Sequence, residues 1–211
     1  MNRLVIFDLD GTLADTSPNI FESYRHVAQV LNMNEPDKES IYASLGGFLT
    51  NNISKLFRIG DDKIAEAVEI YRSFYATLPP VKPYAGIPDV INILKQNGFI
   101  LAVATLKRED FARKLLDYWN LTNHFEFIIG SNRADTISKS EMIDTCIEHT
   151  QISKDHTTMI GDSISDYEAA KNSMVSFIAA SYGFSLPSRY CIENAIPYVL
   201  DPIGILNLLL L

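Results

Sequence analysis

The feature that most constrains this fold is an alternation of short apolar runs with helical stretches. The apolar runs are rich in β-branched and aromatic residues, as buried strands are. The predicted strands are residues 3–8, 99–105, 125–129, 157–161, 175–179 and 198–200. The predicted helices between them are residues 87–96, 109–119, 139–149 and 166–173. This alternation predicts a doubly wound α/β fold, in which helices cover both faces of a parallel sheet.

One interval, residues 17–82, breaks the alternation because it contains no strand-like run. Ser17 followed by Pro18 predicts a helix N-cap and a first-turn proline. Apolar residues then recur at helical spacing, which predicts a helical bundle, at Ile20, Tyr24, Val27, Leu31, Ile64, Val68, Tyr71 and Tyr75. The proline-rich stretch at residues 78–84 is the predicted return linker. We therefore predict a core domain of residues 1–16 and 83–211, with a small helical domain of residues 17–82 inserted into it.

Composition and charge exclude several classes of protein. The chain has 18 Lys and Arg against 26 Asp and Glu, a formal net charge of −8 without a basic cluster, so we expect no nucleic-acid partner. Its apolar runs are far shorter than the ~20 residues of a membrane span, and the first one ends at Asp8, too early for a secretory signal. Cys146 and Cys191 have no CxxC partner, which is typical of reduced thiols. We expect a cytoplasmic protein with no membrane partner.

Four aspartates stand where two of the predicted strands end. Asp8 and Asp10 follow the first strand, and Asp162 and Asp166 lie in the segment GDSISD after the fourth. Ligands of open α/β sheets bind at the carboxyl ends of the strands. Aspartates also favour turns and helix caps, but two pairs at equivalent strand ends favour a shared site.

These carboxylates would need a counter-charge if they meet. Two of them ~4 Å apart repel by about 1 kcal/mol in water and more inside a protein. A divalent cation removes that repulsion, and oxygen-only ligands that share the ion with phosphate suit Mg²⁺ better than Ca²⁺. The leading hypothesis from these residues is a Mg²⁺-dependent phosphate site.

Phosphoryl chemistry also requires hydroxyl or amide donors and a fixed cation. Thr105 ends the second predicted strand just before a helix, where its hydroxyl and the following amides could meet an anion. Lys139 opens the helix after the third strand. Thr105 could equally be a plain helix cap, Lys139 could be an exposed surface lysine, and Arg133 competes with Lys139 for the cationic role.

These residues resemble, in order and spacing, the four motifs of the haloacid dehalogenase superfamily. They are Asp8-Leu9-Asp10-Gly11-Thr12, Thr105, Lys139 and the segment from Gly161 to Asp166. The resemblance covers the whole chain, because the inserted helices look like the small helical cap of that superfamily, and it is greatest to phosphoglycolate-phosphatase-type hydrolases. It implies a Mg²⁺-dependent phosphatase that hydrolyses a small phosphorylated metabolite through an aspartyl-phosphate. Asp10 implies a phosphatase or phosphomutase rather than a dehalogenase or an ion-pumping ATPase.

The resemblance also implies a role for each site residue. Asp8 would be the nucleophile, and Asp10 would protonate the leaving oxygen and then activate water. Mg²⁺ would be bound by the Asp8 carboxylate, the Asp10 backbone carbonyl and Asp162, with Asp166 acting through water or by supporting another ligand. Thr105, the amide of Leu106 and Lys139 would hold the phosphoryl oxygens.

Departures from the family pattern affect details of the site. Leu106 stands where relatives often have Asn, so its amide remains while a polar side chain is lost. Ser140 follows Lys139 where many relatives have proline. Gly46 and Gly47 interrupt two helices of the insertion, and the equivalent loop of related caps points into the active site, which implies substrate contact. The other interpretation of this pair is a turn that merely joins two helices.

Three alternatives to a phosphatase remain. A phosphomutase would use the same aspartyl-phosphate but return the group to a sugar phosphate, so it would release no stoichiometric inorganic phosphate. A phosphorelay receiver domain also combines aspartates, Thr and Lys around Mg²⁺, but its acceptor normally follows the third strand and it has no helical insertion. A catalytically silent binding protein would not need every catalytic position filled, as it is here.

Overall fold

A parallel sheet forms the centre of the structure, a computed structural model that describes residues 3–132 and 135–210. Within these residues the strands are β1 (Leu4–Phe7), β2 (Ile100–Arg108), β3 (Phe127–Ser131), β4 (Thr157–Gly161), β5 (Ser176–Ala180) and β6 (Tyr198–Val199). The α-helices are α1 (Ser17–Val30), α2 (Lys38–Ser44), α3 (Leu49–Phe57), α4 (Asp61–Tyr75), α5 (Ile87–Gln96), α6 (Glu109–Tyr118), α7 (Lys139–Thr150), α8 (Ile164–Asn172), α9 (Ser188–Glu193) and α10 (Gly204–Leu209). None of these helices is long and apolar enough to span a bilayer.

The order of the strands places two carboxyl ends side by side. The sheet runs β3-β2-β1-β4-β5-β6 with every pair parallel. Phe7, the last residue of β1, pairs with Val103 on one side and Ile160 on the other. Strand order reverses at β1, and the crevice at such a reversal is where open α/β sheets bind ligands. The predicted doubly wound fold is therefore confirmed, and it puts the loops after β1 and β4 together.

Both faces of the sheet are buried, as its apolar strands require. Val5 and Phe7 of β1 point into one cluster, which includes Ile91 of α5 and Leu115 of α6. The alternate residues Leu4 and Ile6 point into a second cluster, whose helical members include Met142 and Ala169. Because side chains alternate along a strand, a run that is apolar at every position needs helices on both sides.

Helices α1 to α4, which we call the inserted helices, have a hydrophobic cluster of their own. Its buried members include Tyr24, Ile53, Val68 and Tyr71, with Phe111 of α6 joining from the core. The chain leaves and re-enters the core at one place, because Ala14 and Pro83 form an antiparallel bridge and the Tyr84 amide donates to the Leu13 carbonyl at 2.9 Å.

The predicted end of β2 and the alternative role of Thr105 as a helix cap are both wrong. β2 does not end at Thr105 but resumes pairing with β3 at Arg108 after an irregularity in register. Thr105 is therefore not a cap of α6, whose N-cap is Arg108, and its hydroxyl instead accepts a hydrogen bond from the Lys107 amide at 3.2 Å. Apolar periodicity cannot reveal such an irregularity, because the residues of this segment stay partly buried beside the strand.

The start of α1 also differs from the prediction. Thr16 is the N-cap, and Ser17 is the first helical residue. The Asp15 carboxylate accepts hydrogen bonds from both the amide (3.0 Å) and the hydroxyl (2.6 Å) of Ser17. The side chain of Asp15, two residues before Ser17, thus satisfies a free helix amide that the sequence pattern assigns to a serine cap.

Candidate active site

Three buried carboxylates meet where β1 and β4 end. Asp8 follows β1, Asp162 follows β4 and Asp166 lies in the first turn of α8. Each is at most 3% exposed, and one oxygen of each lies within 4.8 Å of the others. The adjacency of β1 and β4 produces this cluster, because the two strands deliver their carboxyl ends to one edge.

Glycines provide the space for this cluster. Gly11 has φ +80°, and a Cβ there would lie 2.2 Å from Asp162 Oδ2. A Cβ on Gly161 would lie 2.4 Å from Asp166 Cβ. The Asp162 carboxylate accepts hydrogen bonds from the Phe184 amide (2.7 Å) and the Thr12 hydroxyl (3.3 Å). The DLDGT segment therefore contributes both a carboxylate and the room for a second one.

Asp166 also serves as a helix-capping residue. It forms a capping box with Ser163, whose hydroxyl donates to Asp166 Oδ2 at 2.6 Å and accepts from the Asp166 amide at 3.2 Å. Its other oxygen, Oδ1, accepts from Lys139 Nζ at 2.5 Å. The cap and the site therefore use different oxygens of one carboxylate.

Lys139 lies inside the cluster and is not a surface lysine. Its side chain is 4% exposed, and Nζ lies 2.9 Å from Asp8 Oδ1. Burial disfavours its charge, but the pull of Asp166 and Asp8 outweighs this effect and raises the Lys139 pKa. Arg133, the other candidate for this role, lies outside the described residues.

The charges of the cluster do not balance. Three carboxylates face one ammonium, which leaves two negative charges if all are ionised. Burial raises the pKa of Asp8 to about 7 although Lys139 opposes the change, and burial also raises that of Asp162 well above its usual range. Asp8 Oδ1 is buried and makes no well-aligned hydrogen bond with the described residues. An excess of two negative charges on hard oxygen donors fits a divalent cation.

Asp10 stands apart from the cluster and has other partners. Its Oδ1 accepts from the Thr16 hydroxyl at 2.7 Å and from Lys107 Nζ at 2.9 Å. Lys107 Nζ also lies 4.4 Å from the ring centroid of Tyr75 on α4. Sequence reasoning missed the role of Lys107, although its place two residues after Thr105 was a usable signal.

A cavity of about 100 Å³ lies between the inserted helices and this edge of the sheet. It brings together the residues predicted for catalysis and phosphate binding, which are Asp8, Asp10, Thr105, Leu106 and Lys139. Gly46 and Gly47, between α2 and α3, also line it.

The Gly46–Gly47 turn also contacts the core directly. The Gly46 carbonyl accepts from the Ser165 hydroxyl at 2.7 Å, and a Cβ on Gly46 would lie 2.9 Å from Ser163 Cβ. With φ +85° at Gly46, this turn requires a residue without a side chain.

The cavity also contains a buried ion pair that sequence reasoning did not identify. Arg72 Nη2 of α4 lies 3.0 Å from Asp135 Oδ1 in the loop after β3, with side chains 5% and 3% exposed. The spacing of Val68, Arg72 and Tyr75 puts an arginine on a buried helical face, and this was an available signal. Nothing in the sequence singles out Asp135.

Comparison with known proteins agrees with this geometry. Residues 5–180 match the family model described as "Haloacid dehalogenase-like hydrolase". The chain is 31% identical over 189 residues to a phosphoglycolate phosphatase of Aquifex aeolicus, covering 86% of each chain. It is 30% identical over 202 residues to a 5'-nucleotidase of Pseudomonas aeruginosa, covering 90% of this chain and 91% of the relative. A crystal structure of a predicted phosphatase from Clostridium acetobutylicum superposes with a TM-score of 0.88 at 27% identity, covering 99% of each chain.

Proposed function

The chain belongs to the haloacid dehalogenase-like hydrolase family and is a phosphoric monoester hydrolase, and on that premise we propose that it is Mg²⁺-dependent and acts through phosphorylated Asp8. The observation that carries this proposal is the buried set of Asp8, Asp162 and Asp166 around Lys139. A purely structural ion pair would match one carboxylate with one cation, so no carboxylate would be in excess. A phosphatase needs a nucleophile, a cation site and the oxygens that bind the cation at one place.

The proposed Mg²⁺ ligands are Asp8, the Asp10 backbone carbonyl and Asp162, with Asp166 binding through water or supporting another ligand. The excess negative charge around Lys139 and the lack of a well-aligned hydrogen bond to Asp8 Oδ1 among the described residues support this assignment. When bound, such an ion neutralises the carboxylates and polarises a phosphoryl oxygen. All the proposed donors are oxygens, which favours Mg²⁺ over softer metals.

The remaining catalytic and binding roles are proposed for the protein's own residues. Asp8 attacks the phosphorus atom, and the leaving oxygen departs as Asp10 donates a proton to it. Asp10 then removes a proton from the water that attacks the phosphorylated Asp8. Lys139, the Thr105 hydroxyl and the Leu106 amide are proposed to hold the phosphoryl oxygens, in agreement with their place on the cavity wall.

The inserted helices are proposed to act as a cap over this chemistry. We divide the chain into a core of residues 1–16 and 83–211 and a cap of residues 17–82, joined by linkers that run side by side at Ala14 and Pro83. Gly46 and Gly47 are proposed to contact the substrate. A cap of this kind excludes water and selects the substrate.

We further propose a cytoplasmic enzyme whose partner is a small phosphorylated metabolite and not a nucleic acid. The acidic net charge of −8 supports the exclusion of a nucleic-acid partner. A net negative field also repels anionic substrates at long range, so binding depends on the local positive charge of residues such as Lys139.

Hydrolysis of p-nitrophenyl phosphate tests the proposal. Turnover is expected with Mg²⁺, is expected to disappear with EDTA and to return when Mg²⁺ is added back. A panel of phosphorylated metabolites then ranks the substrates, and stoichiometric release of inorganic phosphate from a sugar phosphate excludes the phosphomutase alternative. Full activity in EDTA would overturn the metal assignment.

A further inference from the structure

Each cationic side chain in the described lining of the cavity is already paired with a carboxylate. Lys139 pairs with Asp8 and Asp166, and Lys107 pairs with Asp10. The remaining pairs are Arg108 with Asp110 and Arg72 with Asp135. A second anionic group on the substrate, beyond the phosphoryl group itself, would therefore have to compete with a protein carboxylate for any cation among the described lining residues.

Arg72 is the cation that the inserted helices contribute to this lining, and its partner is firmly held. Asp135 Oδ1 also accepts from the Ser131 hydroxyl at 2.8 Å, and its Oδ2 accepts from the Thr50 amide at 3.4 Å. Turning Arg72 toward a substrate would leave the buried Asp135 carboxylate without its counter-charge, which is strongly unfavourable. The pair therefore presents no net charge to the cavity.

The rest of the lining from the inserted helices is uncharged. Its aromatic members are in contact, with ring centroids 4.9 Å apart for Tyr24 and Tyr71 and 5.2 Å for Tyr75 and Phe111 of the core. Burial raises the pKa of Tyr71 and that of Tyr75, so both phenols stay neutral. Tyr75 Oη is buried and makes no well-aligned hydrogen bond with the described residues. The cap side of the cavity therefore offers apolar surface, the phenols of Tyr24, Tyr71 and Tyr75 and the Asn52 amide, with its one cation among the described residues, Arg72, already paired.

We propose that the leaving group of the natural substrate is a small uncharged alcohol and not a carboxylated or second phosphorylated group. The inference deepens the proposed phosphatase function and rests on it. An anionic leaving group would be buried here without a free cation among the described lining residues, at a high cost. The cavity of about 100 Å³ lies below the ~300–1,000 Å³ of sites for drug-sized ligands, so the alcohol is small.

A matched pair of compounds tests the proposal. 2-Phosphoglycolate and 2-hydroxyethyl phosphate are of similar size and differ in whether the leaving group carries a carboxylate. Each is measured as a competitor of p-nitrophenyl phosphate hydrolysis, so a result is obtained whether or not it is turned over. We expect 2-hydroxyethyl phosphate to compete at least about tenfold better. Equal or stronger competition by 2-phosphoglycolate overturns the proposal.

Asp135→Asn tests whether the Arg72–Asp135 pair causes the preference for an uncharged leaving group. The amide keeps one acceptor oxygen, which can serve the Ser131 hydroxyl at the Oδ1 position but not also the Thr50 amide at the Oδ2 position, and it removes the charge opposite Arg72. We expect the ratio of the two inhibition constants to move toward 2-phosphoglycolate by roughly tenfold. Glu109→Gln removes the same charge from the exposed pair with Arg113 outside the cavity, and we expect its ratio to match the wild type. An unchanged ratio in Asp135→Asn refutes the role of the Arg72–Asp135 pair.

Failure of this inference can be told apart from failure of the proposed function. If p-nitrophenyl phosphate is not hydrolysed, or if Asp8→Asn still hydrolyses it, the proposed mechanism is wrong. If hydrolysis depends on Asp8 but the carboxylated compound is preferred, only the uncharged leaving group is wrong. Should Asp135→Asn fail to fold, the wild-type comparison alone decides the proposal.

Discussion

Lys107 Nζ lies 2.9 Å from Asp10 Oδ1, in a contact where the lysine side chain is only 6% exposed and the aspartate 24%. The same ammonium packs over the ring of Tyr75 in α4. Lys107 thus joins the proposed acid-base residue to α4 of the inserted helices. Burial disfavours the charge of Lys107, but Asp10 and Tyr75 outweigh this effect and raise its pKa, so the lysine remains a cation.

Lys107→Met should lower kcat by about 10- to 100-fold, because Asp10 loses the group that fixes its carboxylate and small misplacements of catalytic groups are costly. The measurement is steady-state hydrolysis of p-nitrophenyl phosphate. Lys107→Arg keeps the charge and should recover part of the activity. Lys63→Met, on an exposed position of α4, serves as the control and should behave as wild type. Wild-type kcat in Lys107→Met would show that Asp10 needs no such support.

Gly11→Ala should impair both folding and metal binding. Gly11 and Gly98 share φ +80°, but a Cβ would lie 2.2 Å from Asp162 at Gly11 and would meet nothing within 4 Å at Gly98. Gly98→Ala should therefore cost about 1–2 kcal/mol of unfolding free energy from backbone strain alone. Gly11→Ala should cost more and should weaken Mg²⁺-dependent activity. Urea denaturation and a Mg²⁺ titration measure the two effects, and identical behaviour of the variants would contradict the crowding at Asp162.

Mg²⁺ should stabilise the protein more at about pH 8 than at about pH 5. Without metal, burial raises the pKa of Asp8 from 3.8 to about 7. A carboxyl whose pKa is higher in the folded state stabilises the fold below its unfolded pKa and loses that contribution as the pH rises through about 7. A bound divalent cation favours the ionised form and offsets the loss.

Thermal denaturation with and without Mg²⁺ measures this difference. For a chain of this size each kcal/mol shifts Tm by about 2–4 °C. Asp162→Asn should lose most of the Mg²⁺-dependent shift at both pH values, because it removes a proposed ligand. A shift that is larger at the acidic pH would contradict the assignment of buried carboxylates as the metal ligands.

The sequence predicted the sheet better than the details of the site. Buried strands such as β1 and β4 are apolar at consecutive positions, and local pattern alone identifies them. The meeting of Asp8, Asp162 and Asp166 then followed from the rule that parallel strands end at one edge. The irregularity after Thr105 was not predictable, because it depends on pairing between strands rather than on local pattern.

Long-range ion pairs could not be predicted from the sequence either. Arg72 and Asp135 lie 63 positions apart and meet only through the packing of α4 against the loop after β3. Arg72 carried a weak signal from its place on a buried helical face, and Asp135 carried none. Pairs of this kind depend on tertiary packing, which the spacing of residues along the chain does not encode.

Trapping the phosphorylated enzyme tests the central claim most directly. The protein is mixed with p-nitrophenyl phosphate and Mg²⁺, quenched in acid during turnover and analysed by peptide mass spectrometry. We predict that the peptide containing Asp8 gains the mass of one phosphoryl group on Asp8, and that Asp8→Asn shows neither this peptide nor turnover. A phosphoryl group on another residue, or hydrolysis by Asp8→Asn, would contradict the account.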